Sequence, residues 1–261
     1  MLPAITIFGR TFSMYGIVGT IGFILGLLFI ILRGYKGQSK LIDDAIYVYT
    51  WGGVGMLVGA KFLYILTVLQ SFINDLKLLS TEPILFSQKY ITGGMVFYGG
   101  LIGAIAGAWI AAHFFNHKLS DFYQLLVPPI ALVAGFGRVG CFCEGCCYGI
   151  QTSLPIGVTF TNSPVAPNNV SLIPTQLMEA AFDFIMFFIL ACKSKNSCSP
   201  YILSRYIFGY ALWRFCIEFV RGDTVRGFLL GLSTSQWISM VYIVLFLTAL
   251  AIISKSKARL Q

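Results

Sequence analysis

The chain has 261 residues, of which 57% are hydrophobic and 11% charged. Soluble domains carry about 25% charged residues, so this composition excludes a soluble globular protein and points to an integral membrane protein. The net charge of +8 is spread over short loops, without the basic, aromatic-interleaved patch of a nucleic-acid binder.

Hydropathy predicts seven membrane-spanning segments, near residues 13–32, 45–69, 94–115, 122–140, 178–192, 206–220 and 235–253. The first is preceded by Arg10, lacks a small-residue cleavage site and is too long for a signal-peptide core, so it is expected to be retained. The fifth and sixth are short and flanked by polar residues. Hydrocarbon offers no water to an open backbone, so the expected fold class is an all-α integral membrane protein of about seven helices. No repeat, low-complexity segment or linker interrupts residues 1–261, which are expected to form a single domain.

Loop charge sets the expected orientation. Arg33, Lys36, Lys40, Lys118, Lys193, Lys195, Arg205, Lys255, Lys257 and Arg259 fall on one side; Arg10, Lys77, Lys89, Arg221 and Arg226 fall on the other. Ten against five places the first side in the cytoplasm, with the N-terminus outside and the C-terminus cytoplasmic. Two stretches then lie outside, residues 70–93 and 141–177. The second, rich in proline and polar turn residues, is expected to form a small extracytoplasmic segment.

Taken in chain order, the first polar signature is Gly93-Gly94-Met95-Val96-Phe97-Tyr98-Gly99-Gly100-Leu101-Ile102-Gly103. Its glycines suit close helix packing, with Gly99 and Gly103 as a GxxxG pair. They equally suit a backbone approached by a lipid headgroup, and both readings stand. The next, Gly135 to Gly149, sets Arg138 between glycines at the end of a span and runs into Cys141, Cys143, Cys146 and Cys147. An unpaired charge at the bilayer centre costs between about 2.5 and more than 10 kcal/mol. Glycine neighbours give Arg138 no apolar ledge to snorkel along, so a role inside a protected pocket is favoured. A guanidinium is shaped to hold phosphate bidentately.

Pro174-Thr175-Gln176-Leu177-Met178-Glu179 follows, with proline and threonine suited to a helix start and Glu179 placed where a carboxylate meets the helix dipole. Capping alone accounts for that carboxylate. The last signature is Arg214-Phe215-Cys216-Ile217-Glu218-Phe219-Val220-Arg221. Arg214, Glu218 and Arg221 share a helix face at spacings of four and three. They form either a self-neutralising ladder or a pocket in which Arg214 keeps donors for a ligand.

These signatures resemble those of the prolipoprotein diacylglyceryl transferase family, and the similarity covers most of the chain. The matching stretches are Tyr15-Gly16, GGMVFYGGLIG, GRVGCFCEGCCYG, PTQLME and RFCIEFVR, in the family's order. The resemblance implies a multi-pass enzyme of the bacterial inner (cytoplasmic) membrane with seven helices and the N-terminus outside. It implies transfer of the diacylglyceryl group of phosphatidylglycerol to the lipobox cysteine thiol of a prolipoprotein, forming a thioether and releasing glycerol phosphate. The implied partners are that lipid, the signal-peptide segment of the preprotein and membrane lipids, with no cofactor and no metal.

By matching positions, Arg138 and Arg214 would hold the phosphate, and Tyr98 stands where the family has the histidine assigned as base. Tyr15, Gly99, Gly100, Gly140, Gly149, Gln176, Glu179, Glu218 and Arg221 would line or orient the lipid site. The family's asparagine and a later glutamate fall at Cys141 and Cys146. Two other readings are a paralogue with a different acceptor and a non-catalytic lipid-binding or redox-responsive membrane protein.

The four clustered cysteines read first as small buried residues and next as a disulfide, on an oxidising face. Zinc ligation and covalent carriage of the lipid come after, because the spacing matches no usual zinc pattern. The expectation is a structural cluster without stoichiometric zinc.

Overall fold

The computed structural model describes residues 4–7, 10–34, 39–194, 201–223 and 227–258. Lys36, Lys195, Arg226 and Arg259, which entered the loop-charge argument, lie outside the described residues. Among the described residues seven long helices follow one another: α1 (Met14–Gly34), α2 (Ser39–Thr67), α3 (Phe97–Phe114), α4 (Tyr123–Glu144), α5 (Thr175–Ser194), α6 (Ile202–Ile217) and α7 (Thr234–Ala258). Three antiparallel hairpins accompany them: β1 (Ala4–Ile7) with β2 (Arg10–Ser13), β3 (Val158–Thr159) with β4 (Ser171–Leu172), and β5 (Phe228–Leu229) with β6 (Leu232–Ser233).

Among the described residues six helical stretches are long and apolar enough to cross a membrane: 14–33, 41–67, 97–114, 119–144, 175–192 and 234–252. The chain is therefore a mostly helical, multi-pass membrane protein. The sixth predicted span forms α6, but its 16 residues reach only about 24 Å against a hydrocarbon core of about 30 Å. A single 3₁₀ turn, Glu218–Val220, extends it.

The described residues gather into two compact units, one of Met1–Leu28 with Val127–Gln261 and the other of Phe29–Leu126. In the second unit, α2 and α3 pack through glycines. A Cβ added at Gly55 would lie 2.2 Å from the Gly103 carbonyl oxygen, one at Gly59 2.3 Å from that of Gly99, and one at Gly107 2.3 Å from that of Trp51. These contacts run in opposite directions along the two helices, so the pair is antiparallel and backbone meets backbone. Gly100 faces Met56 and Ala60 on the same seam.

The turn before α3 uses its double glycine differently. Gly94 has φ +59° and lies against the Tyr64 ring, where a Cβ would come within 2.1 Å of a ring carbon. Lys61 Nζ, reaching from α2, donates to the carbonyls of Gly93 at 2.5 Å and Gly94 at 2.8 Å. Of the two readings open for this signature, packing and turn geometry thus account for Gly93, Gly94, Gly99, Gly100 and Gly103. Replacing Gly103 with Val is expected to destabilise the protein by about 1–3 kcal/mol, the usual cost of overpacking, because the obstacle is backbone. Thermal unfolding in detergent measures this, and an unchanged midpoint contradicts it.

Between α2 and α3, short helical turns fill residues 69–92. Asp75 ties them together, accepting from Lys89 Nζ at 2.6 Å and from the Tyr90 hydroxyl at 2.7 Å. The Lys89 bond holds the Asp75 carboxyl below its ordinary range.

In the first unit, Gly22 of α1 lies against Phe136 of α4, and a Cβ there would sit 2.5 Å from that side chain. Phe182 of α5 stacks on Trp213 of α6 with centroids 5.1 Å apart, and Phe208 of α6 on Phe246 of α7 at 4.4 Å. The 141–177 stretch carries its own small core of Phe160, Ala166 and Leu172, flanked by Phe142, Tyr148 and Val170.

Candidate active site

α4 ends in a turn that its sequence dictates. Gly145 adopts φ +76°, which glycine tolerates without steric cost. Its N–H bonds the Phe142 carbonyl at 3.2 Å while the Cys146 N–H reaches back to the Cys141 carbonyl at 3.1 Å. This pair of bonds is the Schellman closure of a helix. The first turn of α5 then grips the exit loop. Thr175 Oγ1 donates to the Cys147 carbonyl and Gln176 Nε2 to the Cys146 carbonyl, each at 2.7 Å.

A second knot holds Arg221 beside this loop. The Gly149 N–H bonds the Ile173 carbonyl at 2.9 Å, the Ile150 N–H the Val220 carbonyl at 2.9 Å, and the Gly222 N–H the Tyr148 carbonyl at 3.0 Å. Gly149 has room for none of the usual side chains: a Cβ would lie 2.6 Å from the Ile173 oxygen and 2.8 Å from that of Val220.

One helical turn beyond Thr175, Glu179 points into the unit with only 1% of its surface exposed. All three arginines named from the sequence converge on it. Glu179 Oε1 lies 2.6 Å from Arg214 Nη1 and 3.1 Å from Arg138 Nη2, and Oε2 lies 3.9 Å from Arg221 Nη1. Arg214 Nη2 also meets Glu218 Oε2 at 3.1 Å and donates to Ser235 Oγ at 3.4 Å. Arg221 forks onto Asp223 at 2.8 and 3.2 Å and lies 3.9 Å from Glu218.

This arrangement revises the role expected for Glu179. A carboxylate in the first turns of a helix reads as a capping residue, yet here it is the shared anion of three guanidinium groups. Arg138 and Arg214 both hold the same carboxylate oxygen. The reason is that a buried cation without a paired anion is several kcal/mol unfavourable, and one carboxylate can accept from several donors.

The arginines are unequally committed. Arg221, with a side chain 4% exposed, is fully engaged; Arg138, at 20%, is the most open. Arg138 works through Nη2 alone, which also donates to the Tyr210 hydroxyl at 3.3 Å. Its Nε and Nη1 have no partner among the described residues. A phosphate oxygen approaching from the open side would meet a guanidinium already oriented and still holding free donors.

Tyr15 begins α1 and lies against Gly140 of α4, where a Cβ would come within 2.9 Å of its ring. Ser13 Oγ, next to it, donates to Glu144 Oε1 at 2.5 Å. Tyr98 belongs to the other unit, in the first turn of α3. Its ring is 59% exposed and packs edge-on against Phe97, and its hydroxyl has no hydrogen-bond partner among the described residues. His117 pairs with Asp44 at 3.3 Å, and His113 stacks on Trp109.

Four participants escaped the sequence reading: Tyr210, Ser235, Asp223 and Asp183. The last is 1% exposed and accepts from the Tyr206 hydroxyl at 3.4 Å. Asp183 had a usable signal, since an acid one turn after Glu179 inside a span is expensive enough to mark a site.

The model of the prolipoprotein diacylglyceryl transferase family matches residues 3–252. The chain belongs to this family of transferases. Similar proteins include the phosphatidylglycerol–prolipoprotein diacylglyceryl transferase of Clostridium tetani, 36% identical over 92% of this chain and 92% of the relative. The phosphatidylglycerol–prolipoprotein diacylglyceryl transferase 2 of Clostridium perfringens is 34% identical over 91% and 90%. A Dehalococcoides mccartyi protein of the first name is 30% identical over 88% and 85%. Family membership accounts for the order of the five signatures. The convergence of Arg138, Arg214 and Arg221 on Glu179 gives four of their residues one physical purpose.

Proposed function

We propose that the chain transfers the diacylglyceryl group of phosphatidylglycerol to the lipobox cysteine of a prolipoprotein at the bacterial cytoplasmic membrane. The observation that carries this reading is the arginine cluster around Glu179, in a chain that matches the transferase family over nearly its whole length. In the reaction, the incoming thiolate forms a C–S bond to the terminal glyceryl carbon. The C–O bond to phosphate breaks, and its electron pair goes to the phosphate oxygen of the departing glycerol phosphate.

Charge therefore grows on phosphate in the transition state, where preoriented donors act most strongly. Arg138 is assigned to that phosphate through Nε and Nη1. Glu179 holds Arg138 and Arg214 in place, and Glu218 and Arg221 complete the frame around Arg214. Tyr15, Gly140, Gly149 and Gln176 form the supporting wall. Restoration of thioether lipidation in cells lacking their own transferase tests the proposal; a well-expressed chain that leaves prolipoproteins unmodified rejects it.

The ten-to-five loop asymmetry supports an orientation with the N-terminus outside and the C-terminus in the cytoplasm. A reporter joined after Gln261 should be active only in the cytoplasm and one inserted near Pro164 only outside. The reverse pattern removes both the orientation and the outward-facing site.

Tyr98 is assigned a part in the reaction through its hydroxyl, either as a phenol made acidic by a cation or as a donor that orients the lipid. Tyr98→Phe keeps the ring and its contact with Phe97 while deleting the donor. Transfer should fall about tenfold, equivalent to roughly 1.4 kcal/mol, with expression intact. Full activity of the variant would take Tyr98 out of the reaction.

A further inference from the structure

Three of the four clustered cysteines come together although their spacing in the chain matches no usual zinc pattern. The Sγ atoms of Cys141, Cys146 and Cys147 all lie within 4.8 Å of one another. The Schellman turn at Gly145 folds the chain back over the last turn of α4, and Cys147, with φ +60°, turns it again. Cys143 is left out, because two residues along a helix place it about 200° away from Cys141.

We propose that Cys141, Cys146 and Cys147 form a three-thiolate site for one thiophilic d¹⁰ cation, Zn²⁺ or Cu⁺. Metal–sulfur bonds of about 2.3 Å put the sulfurs of such a site roughly 3.8–4.0 Å apart. At no more than 4.8 Å apart, the three sulfurs are already close to that spacing. A disulfide is a poorer fit, since it would draw two sulfurs to about 2.05 Å and strain a loop held at both ends. That loop is already ordered, with the Cys146 and Cys147 carbonyls fixed by Gln176 and Thr175.

Charge also favours the site. Three thiolates around a divalent ion carry a net negative charge, and Arg138 and Arg221 both act on Cys147 with opposite charge. The thiolate is the form that ligates metal. Binding would release the remaining thiol protons to solvent. With Zn²⁺ the fourth position would be left to water; with Cu⁺ the three sulfurs complete a trigonal shell. The proposal, drawn from folded geometry, departs from the expectation from spacing of a cluster without stoichiometric zinc.

The test uses the full-length protein, reduced and purified anaerobically in detergent, and reads metal binding rather than lipid transfer. Its outcome is therefore independent of the proposed reaction. Zn²⁺ and Cu⁺ are titrated separately against competing chelators, with Co²⁺ as a spectroscopic probe for thiolate-to-metal charge transfer. One equivalent is expected. Cys146→Ser should weaken binding at least about a hundredfold, beyond what loss of an outer ligand partner usually costs, and Cys143→Ser should leave it unchanged.

Alkylation mapping of the unaltered protein provides a second readout that needs no variant. Bound metal should shield Cys141, Cys146 and Cys147 but not Cys143. No saturable uptake of either ion by the folded, reduced protein would overturn the proposal. So would equal weakening by Cys143→Ser, or unshielded thiols at full metal loading.

Discussion

Glu179→Gln is expected to lower lipid transfer at least about a hundredfold, a loss of roughly 2.7 kcal/mol of transition-state binding. The substitution keeps the side chain's shape and removes its charge. Arg138 then loses its ion pair with Glu179, and Arg214 loses the shorter of its two contacts, 2.6 Å to Glu179 against 3.1 Å to Glu218. Breaking a buried ion pair by removing one partner costs about 3–5 kcal/mol, so stability should drop as well. Thermal unfolding separates the two effects, since activity measured well below the midpoint reports on the site itself. Near-normal turnover in a folded variant would show that the arginines hold their positions without Glu179, and the shared-anion model would fail.

Lysine at either Arg138 or Arg214 should reduce activity at least about tenfold, or roughly 1.4 kcal/mol, while preserving formal charge. Arg214→Lys replaces a fork that spans Glu179, Glu218 and Ser235 with a single ammonium. Arg138→Lys replaces the open guanidinium whose Nε and Nη1 are assigned to the lipid phosphate. The two should differ in character. Arg214→Lys should lower both stability and kcat, because its partners are internal. Arg138→Lys should act mainly on turnover with phosphatidylglycerol and leave unfolding little changed. Unaltered kinetics in both variants would reduce the pair to structural ion bridges.

Much of this architecture can be read from the residues. Continuous apolar runs of twenty or so residues specify α1, α3, α4 and α7 to within a few positions, because no other structure satisfies the backbone in hydrocarbon. A charge inside an apolar segment is costly enough to mark a candidate site, which is how Arg138 in α4 and Arg214 in α6 stand out in the sequence. What the residues conceal is pairing. Glu179 stands where an acid ordinarily caps a helix, and only the folded unit reveals that it meets Arg138, distant in sequence.

Lys61 is concealed differently. Within a long apolar run it reads as a tolerated exception, while in the structure it closes the carbonyls of Gly93 and Gly94. Cys141, Cys146 and Cys147 show a third kind of concealment. Ligand spacing is informative only when the backbone between ligands is regular, and here the left-handed Gly145 intervenes. The sixth predicted span marks the opposite limit. Its residues do form a helix, α6, but one that is polar at its end and one turn short of a full crossing.

The convergence on Glu179 also constrains how the protein is assembled. Synthesis proceeds from the N-terminus, so α4 enters the membrane carrying Arg138 about forty residues before Glu179 exists. At about 5–20 residues per second, that interval lasts a few seconds. Throughout it, α4 bears a cation whose insertion costs up to about 2.5–3.5 kcal/mol, the value at a helix centre. α5 supplies the neutralising charge, and α6 then arrives with Arg214 to find its partner already in place. The smallest inserted intermediate free of an uncompensated arginine is therefore the α4–α5 pair, and the insertion machinery has to retain the first of these helices until the second has followed.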